Sequence, residues 1–265
     1  MARRTRSAAV LFILAVSSTS AIAADGSDKG WTLRVGAGAQ LVPEFPGADK
    51  DHVIPLPVFG IRHTGDPIPF STHNDSAGVA LVSSNGFSFG PAAHLSLTRR
   101  EKDVGAPVGR VSTTIEAGAF AQYFVSPAFR LRAELRRGIG GHNGLIGSLA
   151  ADFIARDGDR SIFYIGPRLM YSDKKYEQAY FGVTPKVATA TGLPVYLPSG
   201  GFHAAAVGTG LMYQFSYHWG VTTYARYDRL LRDAAHSPIV QHYGSRDQWS
   251  GGGALVYTFD VGKLF

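Results

Sequence analysis

The segment Phe129–Arg136 alternates apolar and charged residues without a break, and this pattern strongly limits how the chain can fold. In a β-strand, successive side chains point to opposite faces, so one face carries Phe, Leu, Ala and Leu and the other Arg, Arg, Glu and Arg. On a helix the same residues would spread charge all round. The strand therefore needs an apolar medium on one side, which is either a protein core or a lipid bilayer.

The first 23 residues have the pattern of a secretory signal peptide. Arg3, Arg4 and Arg6 precede an apolar run that is too short to span a bilayer, and Ala21-Ile22-Ala23 forms an A-x-A cleavage site. We expect cleavage before Ala24 and export through the Sec route. The predicted domains are a signal peptide over residues 1–23 and a barrel over residues 24–265.

Composition excludes several other classes of protein. The chain has no cysteine, which excludes a disulfide scaffold. Removal of three arginines with the signal peptide leaves 23 basic and 20 acidic side chains out of 26 and 20, so the net charge gives no reason to expect nucleic-acid binding. No later stretch is apolar enough for a transmembrane helix. If the mature protein lies in a membrane, it must cross it with strands.

Alternating segments between turn signals predict twelve strands. The predicted strands are Trp31–Val42, Val53–Arg62, Pro67–His73, Gly78–Val82, Phe87–Arg99, Val111–Phe124, Ala128–Arg137, Leu145–Ala155, Arg160–Tyr171, His203–Phe215, His218–Leu230 and Ala254–Phe265. With this count, the long connections all fall at one end, as in bacterial outer-membrane barrels. Two short connections, after His73 and after Arg137, fall at that end too, and the other short turns fall at the opposite end. The fold class predicted is therefore an all-β, transmembrane, antiparallel up-and-down barrel.

The last strand favours a bilayer over a soluble core. Leu255, Tyr257, Phe259, Val261 and Phe265 share one face, and the sequence stops at an aromatic residue. This arrangement resembles the C-terminal sorting signal of outer-membrane barrels, for which Tyr257, Phe259 and Phe265 are the candidate residues and the barrel assembly machinery is the implied reader. We therefore expect outer-membrane lipid to surround the barrel of a monomer.

Extending the alternation assigns charged and polar residues to the lumen. The predicted lumen-lining residues are Arg34, His94, Glu116, Arg130, Arg132, Glu134, Arg136, Asp152, Arg168, His218, Arg226 and Asp228. Unpaired charges in a dry interior would be very costly. These residues must therefore either pair across the lumen or line water. Twelve strands fall between filled small barrels and open porins, so we expect a narrow, partly ion-paired lumen.

Three groups of motifs resemble the MltA-interacting protein / OmpV family of outer-membrane proteins. The first is Pro43-Glu44-Phe45-Pro46-Gly47-Ala48-Asp49 with Pro55-Leu56-Pro57; the second is the long-loop set Tyr180, Phe181, Gly182, Thr184, Gly192, Leu193, Pro194 and Tyr196; the third runs from Leu230 to Ala235 and continues with Ser237-Pro238-Ile239-Val240. The resemblance spans the mature chain in order. One departure is the extension from Phe259 to Phe265, beyond the family's usual end.

The resemblance implies a scaffold that connects a lytic transglycosylase with a murein synthase in the cell envelope. Two alternatives stay open: a narrow passive channel with anion preference, suggested by the arginine-rich lumen, and a surface adhesin or antigen, suggested by the long loops. No G-x-S-x-G nucleophile elbow and no metal-ligand spacing of histidines occurs. We therefore predict no catalytic, cofactor-binding or metal site, and no enzymatic activity.

Overall fold

A computed structural model describes residues 30–262 and shows an all-β protein in which twelve strands form one antiparallel, curled sheet. The signal peptide, the segment 24–29 and Phe265 lie outside the described residues. The strands are β1 Trp31–Pro43, β2 Asp51–His63, β3 Ala77–Gly78, β4 Val82–Ser84, β5 Phe87–Ser96, β6 Thr114–Ser126, β7 Phe129–Gly140, β8 Leu145–Asp157, β9 Ser161–Ser172, β10 Gly201–Gln214, β11 Trp219–Leu230 and β12 Asp247–Val261. The predicted fold class is confirmed.

Neighbours in the sheet follow the order β2-β1-β12-β11-β10-β9-β8-β7-β6-β5-β3, and β4 also pairs with β5. The short strands β3 and β4 therefore share one position in the wall. Trp31 pairs with Val261, so the start of β1 and the end of β12 lie at the same end of the barrel, which we call the turn end. The opposite end, which carries the long connections, is the loop end.

The predicted third strand, Pro67–His73, was wrong, because these residues form no strand. They belong to a connection from 64 to 76 that starts at the turn end, where the Thr64 N–H donates to the Gly30 carbonyl. The connection then rises through the barrel interior, where Ile68 and Phe70 pack against Ile154, Ile162 and Tyr164. We call residues 67–76 the inserted segment. It crosses the barrel in the predicted direction, but it runs through the lumen and is not a strand of the barrel wall.

Strand faces follow the alternation. In β7, Arg130, Arg132, Glu134 and Arg136 are buried, whereas Phe129, Leu131 and Leu135 are 37–52% exposed on the outer face. Side chains that would be core in a soluble protein are thus on the outside, and the charged ones are inside. This inverted arrangement is the one that a bilayer requires.

Five short helices lie in the connections at the loop end: α1 Glu101–Val104, α2 Lys174–Phe181, α3 Pro185–Thr191, α4 Arg232–His236 and α5 Pro238–Tyr243. Asp173 caps α2 by accepting from the Tyr176 N–H, and Thr184 caps α3 by accepting from the Val187 N–H. No helix among residues 30–262 is both long and apolar enough to cross a membrane.

Candidate functional site

The barrel lumen contains a buried cluster of ion pairs centred on Arg130, whose side chain is fully buried. Its Nε and Nη2 donate to one Asp152 oxygen at 2.9 and 2.6 Å, and Arg168 donates to the other oxygen. The register of the sheet explains the contact, because Arg130 lies opposite Asp152 and Ala150 lies opposite Arg168. Two guanidinium groups thus share one carboxylate at the centre of three strands.

A second set of pairs continues the cluster toward the loop end. Arg132 Nε donates to Glu134 at 2.7 Å, and Arg136 bonds both to Glu134 and, at 3.0 Å, to Glu116. The buried His142 ring lies 3.4 Å from the Glu116 carboxylate. The inner face of β7 is therefore a ladder of charged side chains, which bond to one another and to β6 and β8.

The inserted segment is tied to this ladder by its own polar residues. Asp75 accepts from Arg130 at 2.7 and 3.1 Å, and Ser76 donates its hydroxyl to Glu134 at 2.7 Å. Phe70 also lies beneath the Arg130 guanidinium, 4.7 Å from the ring centre. Since charge-assisted hydrogen bonds are the strong ones, these contacts hold the segment across the lumen.

The other predicted lumen residues have more varied positions. Arg226 bonds to Asp228 and, at 2.9 Å, to Asn74 of the inserted segment. His94 lies on the inner face of β5 opposite Glu116. His218 is placed differently from the prediction: it lies in the exposed β10–β11 turn and stacks on Tyr257 of the outer face at 5.4 Å. Its place in a turn, one residue before β11, removes it from the alternation.

The inner cavity has a volume of about 900 Å³. Arg34 and His94 border it, and so does a stacked pair formed by His73 and Tyr224, whose ring centres are 3.7 Å apart. The Tyr224 hydroxyl donates to Gln40 at 2.6 Å. Within residues 30–262, no group of three or more acidic or histidine side chains could hold a metal ion.

The long loop 173–200 folds over the loop end as a compact cap. Tyr180 and Phe181 are buried in one apolar cluster with residues of β8, β10, β11 and α4, and Leu193 lies in a second cluster with Phe45 and Ile239. Gly182 ends α2, Thr184 begins α3, and Gly192 ends α3 with a left-handed φ of 76°. Pro194 follows Leu193, and Tyr196 pairs with Val183 through two backbone hydrogen bonds.

Buried polar groups fix the cap to the rest of the molecule. The Ser237 hydroxyl donates to the Phe181 carbonyl at 2.7 Å, the Tyr196 hydroxyl donates to the Asp233 carbonyl at 2.9 Å, and Arg99 donates to the Tyr180 carbonyl at 2.7 Å. Burial raises the pKa of Glu177 to about 7 and that of Tyr180 to about 12. Glu177 therefore changes charge close to neutral pH within the cap.

Sequence reasoning missed three charged residues that matter here: Asp75, Asp159 and Arg99. Asp159 bonds to Arg62 and Arg156 at the turn end and accepts from the Ile68 N–H at 2.9 Å, so it anchors the start of the inserted segment. All three lie outside regular strands, where alternation carries no information. Of the predicted sorting residues, Tyr257 and Phe259 lie in β12.

A family model described as MltA-interacting protein MipA matches residues 35–259. The chain belongs to this family. Outer membrane protein OmpV of Vibrio cholerae is 36% identical over 91 residues, and outer membrane protein Omp26La of Vibrio anguillarum is 34% identical over 91 residues; each match covers 34% of this chain and 34% of the relative. The protein is accordingly an outer-membrane protein. Among solved structures, the CymD monoaromatic hydrocarbon channel has a TM-score of 0.41 and 11% identity, with 91% of each chain covered.

Proposed function

We propose that this member of the MltA-interacting protein family is a closed outer-membrane scaffold that connects murein hydrolase and murein synthase machinery. The observation that supports a closed lumen is the mutual pairing of its charges. Arg130, Arg132 and Arg136 bond to carboxylates of the wall and of the inserted segment. Charges that line a water-filled pore would instead face the solvent.

A buried, cross-bonded cluster suits a rigid wall. Removing two charges from water is expensive, and only good geometry with further hydrogen bonds offsets that cost. Here Asp152 is shared by two arginines, and Asp75 gives Arg130 a second carboxylate from a different part of the chain. The ion-paired residues of the lumen are thus proposed to be structural, with the inserted segment as the closing element.

The partner class follows from the family description, which names an interaction with the murein enzyme MltA. We propose that the turn end faces the periplasm, and that its turns and the N-terminal segment Ala24–Gly30 provide the docking surface. Val125, Phe215 and Tyr217 expose 55%, 55% and 63% of their surface there. We also propose that the barrel assembly machinery inserts the protein through β12, and that the barrel acts as a monomer.

The test is co-purification from detergent extracts with a lytic transglycosylase and a bifunctional murein synthase. We expect both enzymes to be enriched over an unrelated outer-membrane barrel. Val125→Asp should reduce that enrichment, because it places a charge on an exposed apolar site at the turn end. Leu197→Asp is the matched control at the loop end, since Leu197 is 62% exposed and lies in the cap.

Barrel assembly is checked for each variant by its heat-modifiable migration in electrophoresis. Equal recovery of the enzymes with the unrelated barrel would contradict the scaffold role. A loss of enrichment in Leu197→Asp with none in Val125→Asp would place the docking surface at the loop end and contradict its proposed position at the turn end.

A further inference from the structure

The barrel wall has a seam between β2 and β5. Within residues 30–262, β2 pairs only with β1, and the short strands β3 and β4 pair only with β5. Because the inserted segment returns the chain to the loop end, β2 and β3–β4 run in the same direction. An antiparallel ladder cannot join them.

Hydrogen-bond parity identifies the groups that face this seam. The Thr64 N–H donates to the Gly30 carbonyl, so the even-numbered residues of β2 bond to β1 and the odd-numbered ones point away. The Phe124 N–H donates to the Gly86 carbonyl, so the odd-numbered residues of β5 point toward β3–β4 and, above β3, toward the seam. Pro55 and Pro57 occupy two of the outward-pointing positions of β2. Because proline has no N–H, the edge of β2 has no unpaired donor at these two positions.

The seam is open in its upper half. β3 begins at Ala77, opposite Ala93, so within residues 30–262 the edge of β5 that faces away from β6 has no strand partner from His94 to Ser96. The inner cavity reaches both faces of the two edges at this height: it is bordered by Leu56, Val58, His94 and Ser96 of the inner faces and by Pro57, Phe59, Leu95 and Leu97 of the outer faces. We call this gap between the upper parts of β2 and β5 the window. It lies between the lumen and the lipid-facing surface.

The cavity behind the window has an apolar wall and one unpaired cation. Ile54, Leu56 and Val58 of β2 form the apolar side. Among the predicted lumen arginines, Arg34 alone has no ion pair within residues 30–262, and its Nε has no hydrogen-bond partner there. Asp159 acts electrostatically on Arg34, but its carboxylate is bonded to Arg62 and Arg156. Arg34 lies opposite Gly60, one step below Val58 on the inner face.

We propose that the window and the cavity bind a single-chain amphiphile with an anionic head, the chemistry of a free fatty acid, which enters from the bilayer. The apolar body would lie along Ile54, Leu56 and Val58, and the head would pair with Arg34. From Gly60 to Val53 the strand spans roughly 23 Å at about 3.3 Å per residue. A cavity of about 900 Å³ is within the range that holds one small ligand.

Binding is measured with the full protein in lipid nanodiscs, with sodium laurate, 1-dodecanol and dodecylammonium chloride as probes. We expect saturable laurate binding, with the other two at least about tenfold weaker. Arg34→Gln should lower laurate affinity to the level of dodecanol while leaving dodecanol affinity unchanged, which also shows that the variant is folded. Arg110→Gln, at an exposed arginine of the β5–β6 loop, is the control and should bind like the wild type.

The route is tested by blocking the window. Because the chain has no cysteine, Leu97→Cys can be alkylated selectively with a bulky maleimide. Leu131→Cys is the matched control, since both leucines are exposed on the outer face but Leu131 lies in β7, away from the seam. We expect alkylation of the first variant alone to slow laurate uptake. Equal affinities for the three probes, unchanged laurate binding in Arg34→Gln, or equal uptake by both alkylated variants would overturn the proposal.

Discussion

At the scale of single residues, burial distinguishes the ion pairs that stabilise the barrel from those that contribute little to its stability. Asp152 is fully buried and shared by Arg130 and Arg168, whereas Asp247 pairs with Arg229 where both side chains are about half exposed. Asp152→Ala should therefore cost about 3–5 kcal/mol in unfolding free energy, because it leaves buried guanidinium groups uncompensated. Asp247→Ala should cost at most about 1 kcal/mol. Urea unfolding from lipid vesicles measures both, and equal losses would contradict this distinction.

A second residue-scale prediction concerns pH. The pKa of Glu177 is raised by burial from 4.5 to about 7, so the folded cap holds this proton more tightly than the unfolded chain does. The stability that Glu177 contributes therefore falls as the pH rises from about 4.5 to about 7. Protection of residues 173–200 from protease should decrease over this interval, and Glu177→Gln should flatten the profile. Glu101→Gln, at an exposed site of α1, should keep the wild-type profile; a flat wild-type profile would refute the effect.

At the scale of elements, the cap depends on a few buried apolar side chains. Phe181 is 0% exposed and ends α2 against α4 and β10, whereas Leu197 is 62% exposed in the same loop. Phe181→Ala should cost about 3–5 kcal/mol, because it leaves a cavity. Leu197→Ala should change stability by no more than about 0.5 kcal/mol. Hydrogen exchange of the cap amides tests this, and similar protection in both variants would contradict the assigned packing.

The elements also show how far the sequence alone can specify this fold. Ten of the predicted strands coincide with observed ones, because a strand between lipid and a polar lumen must alternate along its length. Pro67–His73 alternates for another reason, since Ile68 and Phe70 face an apolar cluster inside the barrel. The helices α2 and α3 lie in the segment that the sequence indicated only as a long loop. Local periodicity reports which side of an element is apolar, and it cannot report whether that element is in the wall.

At the scale of the whole molecule, partners distant in sequence decide how the lumen is filled. Alternation placed Arg130, Arg132, Glu134 and Arg136 on one face of β7, and the structure has all four buried on that face. It could not identify Asp75 or Ser76 as their partners, because these belong to a connection 55–58 residues away along the chain. Whether the charges of the lumen pair with one another or line water depended on that contact.

The central claim is that the inserted segment closes the lumen through Asp75, and conductance across planar bilayers tests it most directly. We predict no steady conductance for the wild-type protein. Asp75→Ala should produce channel openings, because Arg130 and Arg132 lose their bond to the segment. Asp66→Ala, at an exposed site of the same connection, should stay closed. Steady wild-type conductance that Asp75→Ala leaves unchanged would contradict the account.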